Sequence, residues 1–169
     1  IPKDNVATAL TVLSLLSVEI TSAKANRWIA LTKVAGRQEL FKQDCHIMLD
    51  VGHNPQAARY LAGELVKKNY PRVHAVIGML VDKDIKNTLA PMIPVVDHWY
   101  IGDLKVPRGA TTRKISEAFS KSCSVNSFDN ITQAFKIALK NANDTDLVLV
   151  FGSFLTVAEI RPLLVLAQT

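Results

Sequence analysis

Short apolar runs that alternate with amphipathic stretches constrain the fold of this chain more than any other feature. After residue 36, five runs of strand length are each followed by a stretch in which apolar residues recur at helical spacing. A repeated order of strand and then helix is typical of a mainly parallel sheet that is covered by helices on both faces. The sequence therefore predicts an α/β fold.

The predicted elements also divide the chain into two parts. The strands are expected at Cys45–Val51, Val73–Leu80, Val96–Ile101, Cys123–Phe128 and Leu147–Phe151. The helices between and after them are expected at Pro55–Lys68, Asp84–Met92, Thr112–Lys121, Asn130–Ala142 and Thr156–Leu166. Two earlier helices are expected at Asn5–Leu16 and Thr21–Leu31, and residues 38–43 allow a short edge strand. The change of pattern predicts a helical part, residues 1–34, and an α/β domain, residues 35–169.

Length and charge narrow the class of protein. The 169 residues suit one main domain with a substantial core. The net charge of +5 is mild and its Lys and Arg residues are scattered, which disfavours nucleic-acid binding but fits an anionic ligand such as a polyphosphate. No stretch approaches the ~18 apolar residues of a membrane span, and no leader peptide is evident. Because the first residue is Ile rather than Met, we expect a fragment or a processed chain.

Cysteine usage indicates the compartment. Cys45 and Cys123 lie in or beside strand-like runs, where buried free thiols are the simpler interpretation. Since the sequence has no framework of paired cysteines, a reducing cytosol is expected. We therefore expect a cytoplasmic protein.

An abrupt polar turn follows the first strand of the alternating region. The apolar run ends in Asp50-Val51-Gly52-His53-Asn54-Pro55. Asn54 suits a helix N-cap and Pro55 suits the first helical position. Ligands of open α/β sheets bind at the carboxyl ends of strands, where a helix start offers N–H groups to an anion. Asp50 and His53 are therefore candidates for a binding site.

Each candidate residue also has a simpler structural interpretation. Asp50 is either a turn residue that satisfies nearby N–H groups or a carboxylate that accepts hydrogen bonds from ligand hydroxyls, as acidic residues at strand ends do with ribose. His53 is either a turn residue or a donor to a phosphate or carboxylate. Arg37 follows Gly36 in a loop, where most arginines are only solvated but where a guanidinium can clamp a phosphate. Asn5 lies at a helix head, where N-capping is the simpler role.

Polar residues also follow the other strands. Lys83, between two aspartates, follows the second strand of the region, Arg108 follows the third and Ser153 follows the last. The carboxyl ends of parallel strands share one edge of a sheet, so we expect these groups to converge there. Their convergence is stronger evidence for a site than any one residue.

Several common catalytic motifs are absent from the sequence. No two glycines are separated by one residue, which excludes a dinucleotide fingerprint, and there is no Gly-Lys-Ser/Thr phosphate loop. Gly152-Ser153-Phe154 does not fit the Gly-x-Ser-x-Gly pattern of a nucleophile elbow. The histidines and the two cysteines are too few and too dispersed for a zinc site. The 169 residues therefore contain no complete catalytic set.

The polar turn matches a family signature. Asp50-Val51-Gly52-His53-Asn54-Pro55 resembles the Asp-x-Ala-His-Asn-Pro signature of folylpolyglutamate synthases, which belong to the Mur ligase superfamily. The resemblance is strongest to the bifunctional bacterial type, which is also a dihydrofolate synthase. Supporting segments occur in matching order and spacing along essentially the whole chain. They are Asp4–Leu10, Gly36-Arg37, Val76–Leu80, Asp82-Lys83-Asp84, Pro107–Thr111 and Val148–Phe154.

The resemblance implies a Rossmann-like C-terminal Mur ligase domain, preceded by the last helices of an ATPase domain. In this family ATP phosphorylates a carboxylate of dihydropteroate or a folate, and the amine of L-glutamate attacks the acyl phosphate to form an amide. The phosphate loop and the Mg²⁺ ligands lie in the N-terminal ATPase domain, which is the expected partner. We therefore expect an ATP-dependent ligase, a monomer as a whole protein, and an inactive isolated chain.

The resemblance also implies roles for individual residues. Asn5 would contact the adenine, Arg37 the phosphates, and Asp50 the ribose or nearby nucleotide groups. His53 and Ser153 would lie toward the glutamate and the transferred phosphoryl group, and they are the predicted catalytic residues.

Three positions depart from the family pattern. Ala35 and Gln38 replace the usual Pro and Phe on either side of Gly36-Arg37, and Gly52 replaces the usual Ala. We therefore expect a looser loop around Arg37. Two alternatives stay open: a Mur-type ligase for another substrate class, such as cell-wall precursors, and a noncatalytic ligand-binding α/β domain.

Overall fold

A six-stranded sheet forms the centre of the structure, a computed structural model that describes residues 2–120 and 123–166. Its strands are β1 (Glu39–Lys42), β2 (His46–Asp50), β3 (Val73–Ile77), β4 (His98–Gly102), β5 (Ser124–Phe128) and β6 (Leu147–Phe151). They lie in the order β1-β2-β6-β3-β4-β5, and all neighbours are parallel except β1 and β2. The predicted mainly parallel α/β fold is confirmed, and β1 is the short edge strand allowed for residues 38–43.

Helices flank the strands near the predicted positions. Those in the described residues are α1 (Lys3–Leu15), α2 (Ser22–Leu31), α3 (Pro55–Lys68), α4 (Ile85–Leu89), α5 (Thr112–Ser116), α6 (Ile131–Asn141) and α7 (Phe154–Leu166). α4 and α5 are shorter than predicted, and a separate 3-10 turn follows α4 at Ile93–Val95. The predicted end of α5, Lys121, lies outside the described residues. α7 begins two residues earlier than predicted, at Phe154.

Alternate residues of the central strands enter two apolar layers. Met48 and Phe151 pack on the side of α3, α4 and α5, whereas Leu49 and Val150 pack on the side of α6 and α7. Because helices cover both faces, β3 and β6 are buried along their whole length. This explains why their sequences are almost entirely apolar rather than alternating, with His74 of β3 as the polar exception.

The ends of α3 follow the local sequence. The Asn54 side chain accepts a hydrogen bond from the Ala57 N–H at 2.9 Å, and Pro55 occupies the first helical position, as predicted. Asn69 ends the helix in the left-handed conformation, which asparagine tolerates better than most residues. The Asn54 cap and Pro55 fix the residue at which α3 begins. The polar turn therefore lies between two rigid elements, β2 and α3.

Helices α1 and α2 contribute little to the two apolar layers. α1 has no buried residue, and Ala25 is the buried residue of α2. Large apolar side chains of this segment are exposed: Val12, Leu15, Leu16, Val18, Trp28, Ile29 and Leu31. The α/β layers are thus built from later residues, and the boundary near residues 34–36 stays a prediction. No helix in the described ranges combines the length and the apolar character that crossing a bilayer requires.

The two cysteines are free thiols with different exposure. Cys45 is buried, as predicted, and burial raises the pKa of its thiol. Cys123 is only half-buried, so the prediction of a buried thiol is wrong there. The reason is its position beside β5, which is an edge strand with exposed residues.

A buried histidine lies at the amino ends of β3 and β4, away from the polar turn. His74 is 1% exposed, its Nδ1 lies 3.1 Å from the Tyr100 hydroxyl, and its Nε2 lies 3.5 Å from an Asp146 carboxylate oxygen. The His98 ring is 4.9 Å away between centroids. Burial, together with His98 and the charge of Arg72, lowers the pKa of His74 although Asp146 opposes the effect.

We expect acid to destabilise the fold through His74. Because its pKa is lower in the folded state, its contribution is complete above the unfolded-state pKa of about 6.5 and is lost as the pH falls toward the folded-state value. His74→Asn should therefore flatten the decline in the free energy of unfolding between about pH 7 and pH 5, measured with urea. His46→Asn is the control, because it also removes one imidazole but leaves His74 and its neighbours Tyr100, Asp146 and His98 in place. An equal flattening in both variants, or none in His74→Asn, would contradict the assignment.

Candidate functional site at the carboxyl ends of β2 and β6

Three loops meet where β2 and β6 end, and together they form what we call the β2–β6 rim: residues 34–38, 51–54 and 152–154. Parallel pairing sets Asp50 opposite Phe151, so the two strands end side by side. The Val51 N–H donates to the Gly36 carbonyl at 2.7 Å, and the Gly152 N–H donates to the Gly52 carbonyl at 3.2 Å. Backbone hydrogen bonds therefore tie the three loops to one another.

Asp50 lies under the rim and holds two of its loops. The residue is 7% exposed, and its carboxylate accepts from the Gly52 N–H at 2.7 Å and from the Gln38 N–H at 3.0 Å. Burial raises the pKa of Asp50, while the two N–H donors and the charge of Arg37 act in the opposite direction. Asp50 thus satisfies nearby N–H groups, one in its own turn and one in the Arg37 loop, which was the simpler of the two sequence interpretations. Its contact with ribose stays a prediction.

His53 uses one ring nitrogen in a hydrogen bond within the turn. Its Nδ1 lies 2.9 Å from the Val51 carbonyl oxygen. A carbonyl only accepts, so Nδ1 carries the proton of this hydrogen bond and Nε2 is an acceptor in the neutral ring and a donor in the charged ring. The ring is partly buried, and its centroid is 6.0 Å from that of Phe154.

Arg37 lies beside the same aromatic side chain. It is exposed, and its guanidinium carbon lies 5.8 Å from the centre of the Phe154 ring, which is within the range of a cation–π contact. Phe154 itself is 59% exposed at the first position of α7. The rim therefore brings Arg37 and His53 together around one exposed phenyl ring. Phe154 ends the segment Val148–Phe154 that resembles the family, but the sequence pattern indicated no role for it.

Hydrogen bonds fix the backbone of the loop around Arg37. Its successive N–H groups at positions 36, 37 and 38 donate to Glu39, to the Val34 carbonyl and to Asp50, at 2.8, 3.1 and 3.0 Å. Gly36 has a φ of 67° and Gln38 a φ of 45°, in the left-handed region that costs non-glycine residues free energy. Two side-chain carboxylates therefore anchor the backbone on either side of Arg37, and the expectation of a loop looser than the family pattern stays a prediction.

Ser153 is buried and caps α7. Its Oγ accepts from the Thr156 N–H at 2.9 Å and lies 2.8 Å from the Thr156 hydroxyl, which donates to the Gly78 carbonyl at 2.7 Å. Since the Thr156 proton goes to Gly78, the Ser153 hydroxyl donates to Thr156. The residue is 3% exposed and lies at the rim, as predicted, but its hydroxyl serves the helix start. Its catalytic role stays a prediction.

Asn5 lies apart from this arrangement. It is an exposed residue inside the first turn of α1, and Pro2 occupies the N-cap position, so the N-cap interpretation of Asn5 is wrong. Within the part of the chain that the structure describes, its side chain makes no hydrogen bond to the β2–β6 rim. Its contact with adenine stays a prediction.

A second polar group lies farther along the same edge, after β3 and β4. Asp82 pairs with Arg108 at 2.8 Å and with Lys83 at 3.3 Å, and the Val81 N–H donates to the Arg108 carbonyl at 2.8 Å. A cavity of about 470 Å³ opens beside these loops, lined by residues 103–107 and 109–111. The predicted convergence of polar residues at one sheet edge is therefore confirmed for Lys83 and Arg108.

The edge can hold an anion. Arg37 supplies an exposed permanent charge, and His53 lies at the start of α3, where the helix dipole favours negative charge. The described residues contain no cluster of three or more His, Cys, Asp or Glu side chains suited to a metal ion. The exposed charge of Arg37 and the helix start beside His53 fit a phosphate or a carboxylate.

Comparison with known proteins identifies the family. Residues 36–154 match the family described as Mur ligase, glutamate ligase domain. The chain belongs to this family. As a glutamate ligase domain, it is 42% identical over 95% of its length to the dihydrofolate synthase/folylpolyglutamate synthase of Escherichia coli K12, of which it covers 37%. The chain thus spans about two fifths of the length of the curated relatives it matches.

Solved structures resemble the whole glutamate ligase domain. E. coli FolC in complex with DHPP and ADP matches it with a TM-score of 0.90 and 39% identity, over 100% of this chain and 40% of that one. A bifunctional folylpolyglutamate synthase/dihydrofolate synthase with Mn, AMPPNP and L-glutamate bound matches with a TM-score of 0.88 and 36% identity, over 97% of this chain and 40% of the other. The predicted family and fold are both confirmed.

Asp50 should matter more for stability than an exposed aspartate at the same edge. Asp50→Ala leaves the Gly52 and Gln38 N–H groups without their acceptor, and we expect a loss of about 1–3 kcal/mol in the free energy of unfolding. Asp82→Ala, which breaks the solvated pairs with Arg108 and Lys83, should change it much less. Urea unfolding of the 169-residue chain measures both. A loss in Asp50→Ala no larger than in Asp82→Ala would contradict the role given to the buried carboxylate.

Proposed function

We propose that this chain is the C-terminal domain of an ATP-dependent ligase that adds L-glutamate to dihydropteroate, to folates or to both through an acyl-phosphate intermediate. The observation that carries the proposal is the β2–β6 rim, where Arg37 and His53 both lie beside Phe154 in a chain whose relatives are named dihydrofolate synthase/folylpolyglutamate synthase. A related structure has AMPPNP, Mn and L-glutamate bound, which supports ATP, Mg²⁺ and glutamate as the ligands of the complete enzyme.

In this proposal the domain contributes positive charge to the formation of the acyl phosphate. An acyl phosphate forms only when the repulsion between a carboxylate and the triphosphate is reduced. The Arg37 guanidinium supplies a positive charge at the rim, and domain closure would bring it to the transferred phosphoryl group. The Nε2 atom of His53 is placed to donate to the same group or to the glutamate carboxylate when the ring is protonated.

The buried residues act differently in this proposal. The Asp50 carboxylate and the Ser153 hydroxyl hold the loops and the start of α7, so that Arg37 and His53 keep their positions. The carboxylate of Asp50 and the hydroxyl of Ser153 each keep a free lone pair. Each can therefore accept a hydrogen bond from the nucleotide or from glutamate when the two domains of the complete enzyme close. Asn5, on α1, contacts adenine in this proposal.

A preceding ATPase domain completes the enzyme. The relatives are more than twice as long as this chain, and the sequence has no phosphate loop of its own. Residues 1–34 expose Leu15, Leu16 and Leu31, which suit packing against such a domain. We place the phosphate loop and the Mg²⁺ ligands there. We also propose a monomeric, cytoplasmic enzyme, in keeping with two free cysteines.

The isolated 169-residue chain should not catalyse ligation. Incubated with ATP, Mg²⁺, dihydropteroate and L-glutamate, it should release no ADP above background because the phosphate loop is absent. The complete enzyme that contains this chain, called the parent enzyme below, is the positive control. It is also assayed with a UDP-linked peptide in place of dihydropteroate. ATP-dependent glutamate ligation by the chain alone would contradict the division between the domains. Ligation by the parent only to the UDP-linked peptide would identify another Mur-type ligase.

Arg37 should be required for turnover. In the parent enzyme Arg37→Ala should lower kcat about 100-fold, because it removes a charge that acts on the developing phosphoryl group. Arg37→Lys should retain part of the activity, since it keeps the charge but loses the planar fork. Arg113→Ala, an exposed arginine on α5, is the matched control. Wild-type turnover in Arg37→Ala with an intact fold by circular dichroism would remove Arg37 from the site.

A further inference from the structure

An ion pair links the edge strand β1 to the middle of α7. Arg161 Nε lies 3.0 Å from Glu39 Oε2, and Arg161 Nη2 lies 3.0 Å from Glu39 Oε1, so the guanidinium engages both carboxylate oxygens. The Glu39 side chain is 21% exposed and that of Arg161 is 40% exposed. Bidentate pairs of this kind fix the orientation of a carboxylate as well as its charge.

The oriented carboxylate has a second partner. Glu39 Oε2 also accepts from the Gly36 N–H at 2.8 Å. Burial by itself would raise the pKa of Glu39, but the hydrogen bonds from Arg161 and Gly36 and the charge of Arg161 lower it. Glu39 therefore stays ionised at neutral pH, and its acceptor capacity toward Gly36 is maintained.

Gly36 and Gln38 flank Arg37, and a carboxylate holds the N–H group of each. Glu39 binds the first and Asp50 the second, at 2.8 and 3.0 Å. Both flanking residues have positive φ, at 67° and 45°. Since Gln38 lacks the freedom of glycine, its left-handed backbone is strained and needs the anchoring hydrogen bonds to persist.

α7 reaches the Arg37 loop at two points on one face. Phe154 contacts the guanidinium of Arg37, and Arg161 holds Glu39, which holds the loop backbone. Phe154 and Arg161 are seven residues apart, a spacing that places two side chains on the same face of a helix. The helix thus supports both the backbone and the side chain of the loop.

We infer that Arg161 and Glu39 are positioning residues for Arg37: the pair fixes the Gly36 N–H, and through it the loop that aims the guanidinium. The inference rests on the proposed function for its catalytic consequence. The geometric part concerns this chain alone. Neither residue touches the ligands itself.

The geometric part is tested on the 169-residue chain by NMR amide exchange. Glu39→Ala and Arg161→Ala should accelerate exchange of the Gly36 amide about tenfold or more, because a hydrogen bond to a charged acceptor is lost or loosened. Glu39→Gln keeps an oxygen for Gly36 and should have a smaller effect. Arg113→Ala and Glu117→Gln, in a solvated pair on α5, are controls that should leave Gly36 unchanged. Unchanged Gly36 exchange in Arg161→Ala would overturn the inference.

The catalytic part is tested on the parent enzyme by a double-mutant cycle. Arg161→Ala should lower kcat about tenfold with a small change in the KM for ATP, and Arg161→Lys should restore part of it. In the Arg37→Ala background the same change should have no further effect, because Arg161 acts through Arg37. An equal loss in both backgrounds would assign the pair a general structural role and overturn the inference.

The two proposals fail in different ways. A wild-type parent without glutamate ligation refutes the proposed function, while the exchange of Gly36 still decides whether the pair positions the loop. An active parent in which Arg161→Ala turns over at the wild-type rate refutes the inference alone.

Discussion

The parallel pairing of β2 with β6 is the constraint on which the candidate site depends. It ends the two strands side by side, so that the turn after Asp50 and the start of α7 meet. Gly152 lets the start of α7 also lie close to the end of β3, because its φ of 111° lies where glycine is favoured and an added Cβ would lie 2.7 Å from the Gly78 carbonyl oxygen. Strand order in the core thus decides which polar loops share an edge.

Charges at the β2–β6 rim are divided between structure and ligand. The carboxylates of Asp50 and Glu39 are turned toward backbone N–H groups, whereas the guanidinium of Arg37 is turned outward. An edge that uses its anionic groups internally and exposes a cation attracts anionic ligands. The same arrangement explains how a loop with two positive-φ residues stays ordered, since each flanking amide has a charged acceptor.

A glutamate ligase domain of this kind suits an enzyme whose chemistry is shared between domains. The chain covers about two fifths of its curated relatives, its rim exposes the Arg37 cation, and its sequence has no phosphate loop. In the proposed enzyme, closure of one domain on the other completes the charge neutralisation that phosphoryl transfer needs. Precise placement of Arg37 within this domain then matters, because a small displacement of a charge at a reacting group has a large effect on rate.

Local sequence by itself determined the α/β fold, the Asn54 cap of α3 and the polar turn at the end of β2, because periodicity and capping act between near neighbours. It also indicated the sheet edge that gathers Arg37, His53 and Ser153. Only the tertiary structure decided that Asp50 and Ser153 turn inward, that Phe154 lies beside both Arg37 and His53, and that Arg161 holds Glu39 across 122 positions of sequence. Those contacts join residues that strand pairing and helix packing bring together, and no short-range pattern encodes such distances.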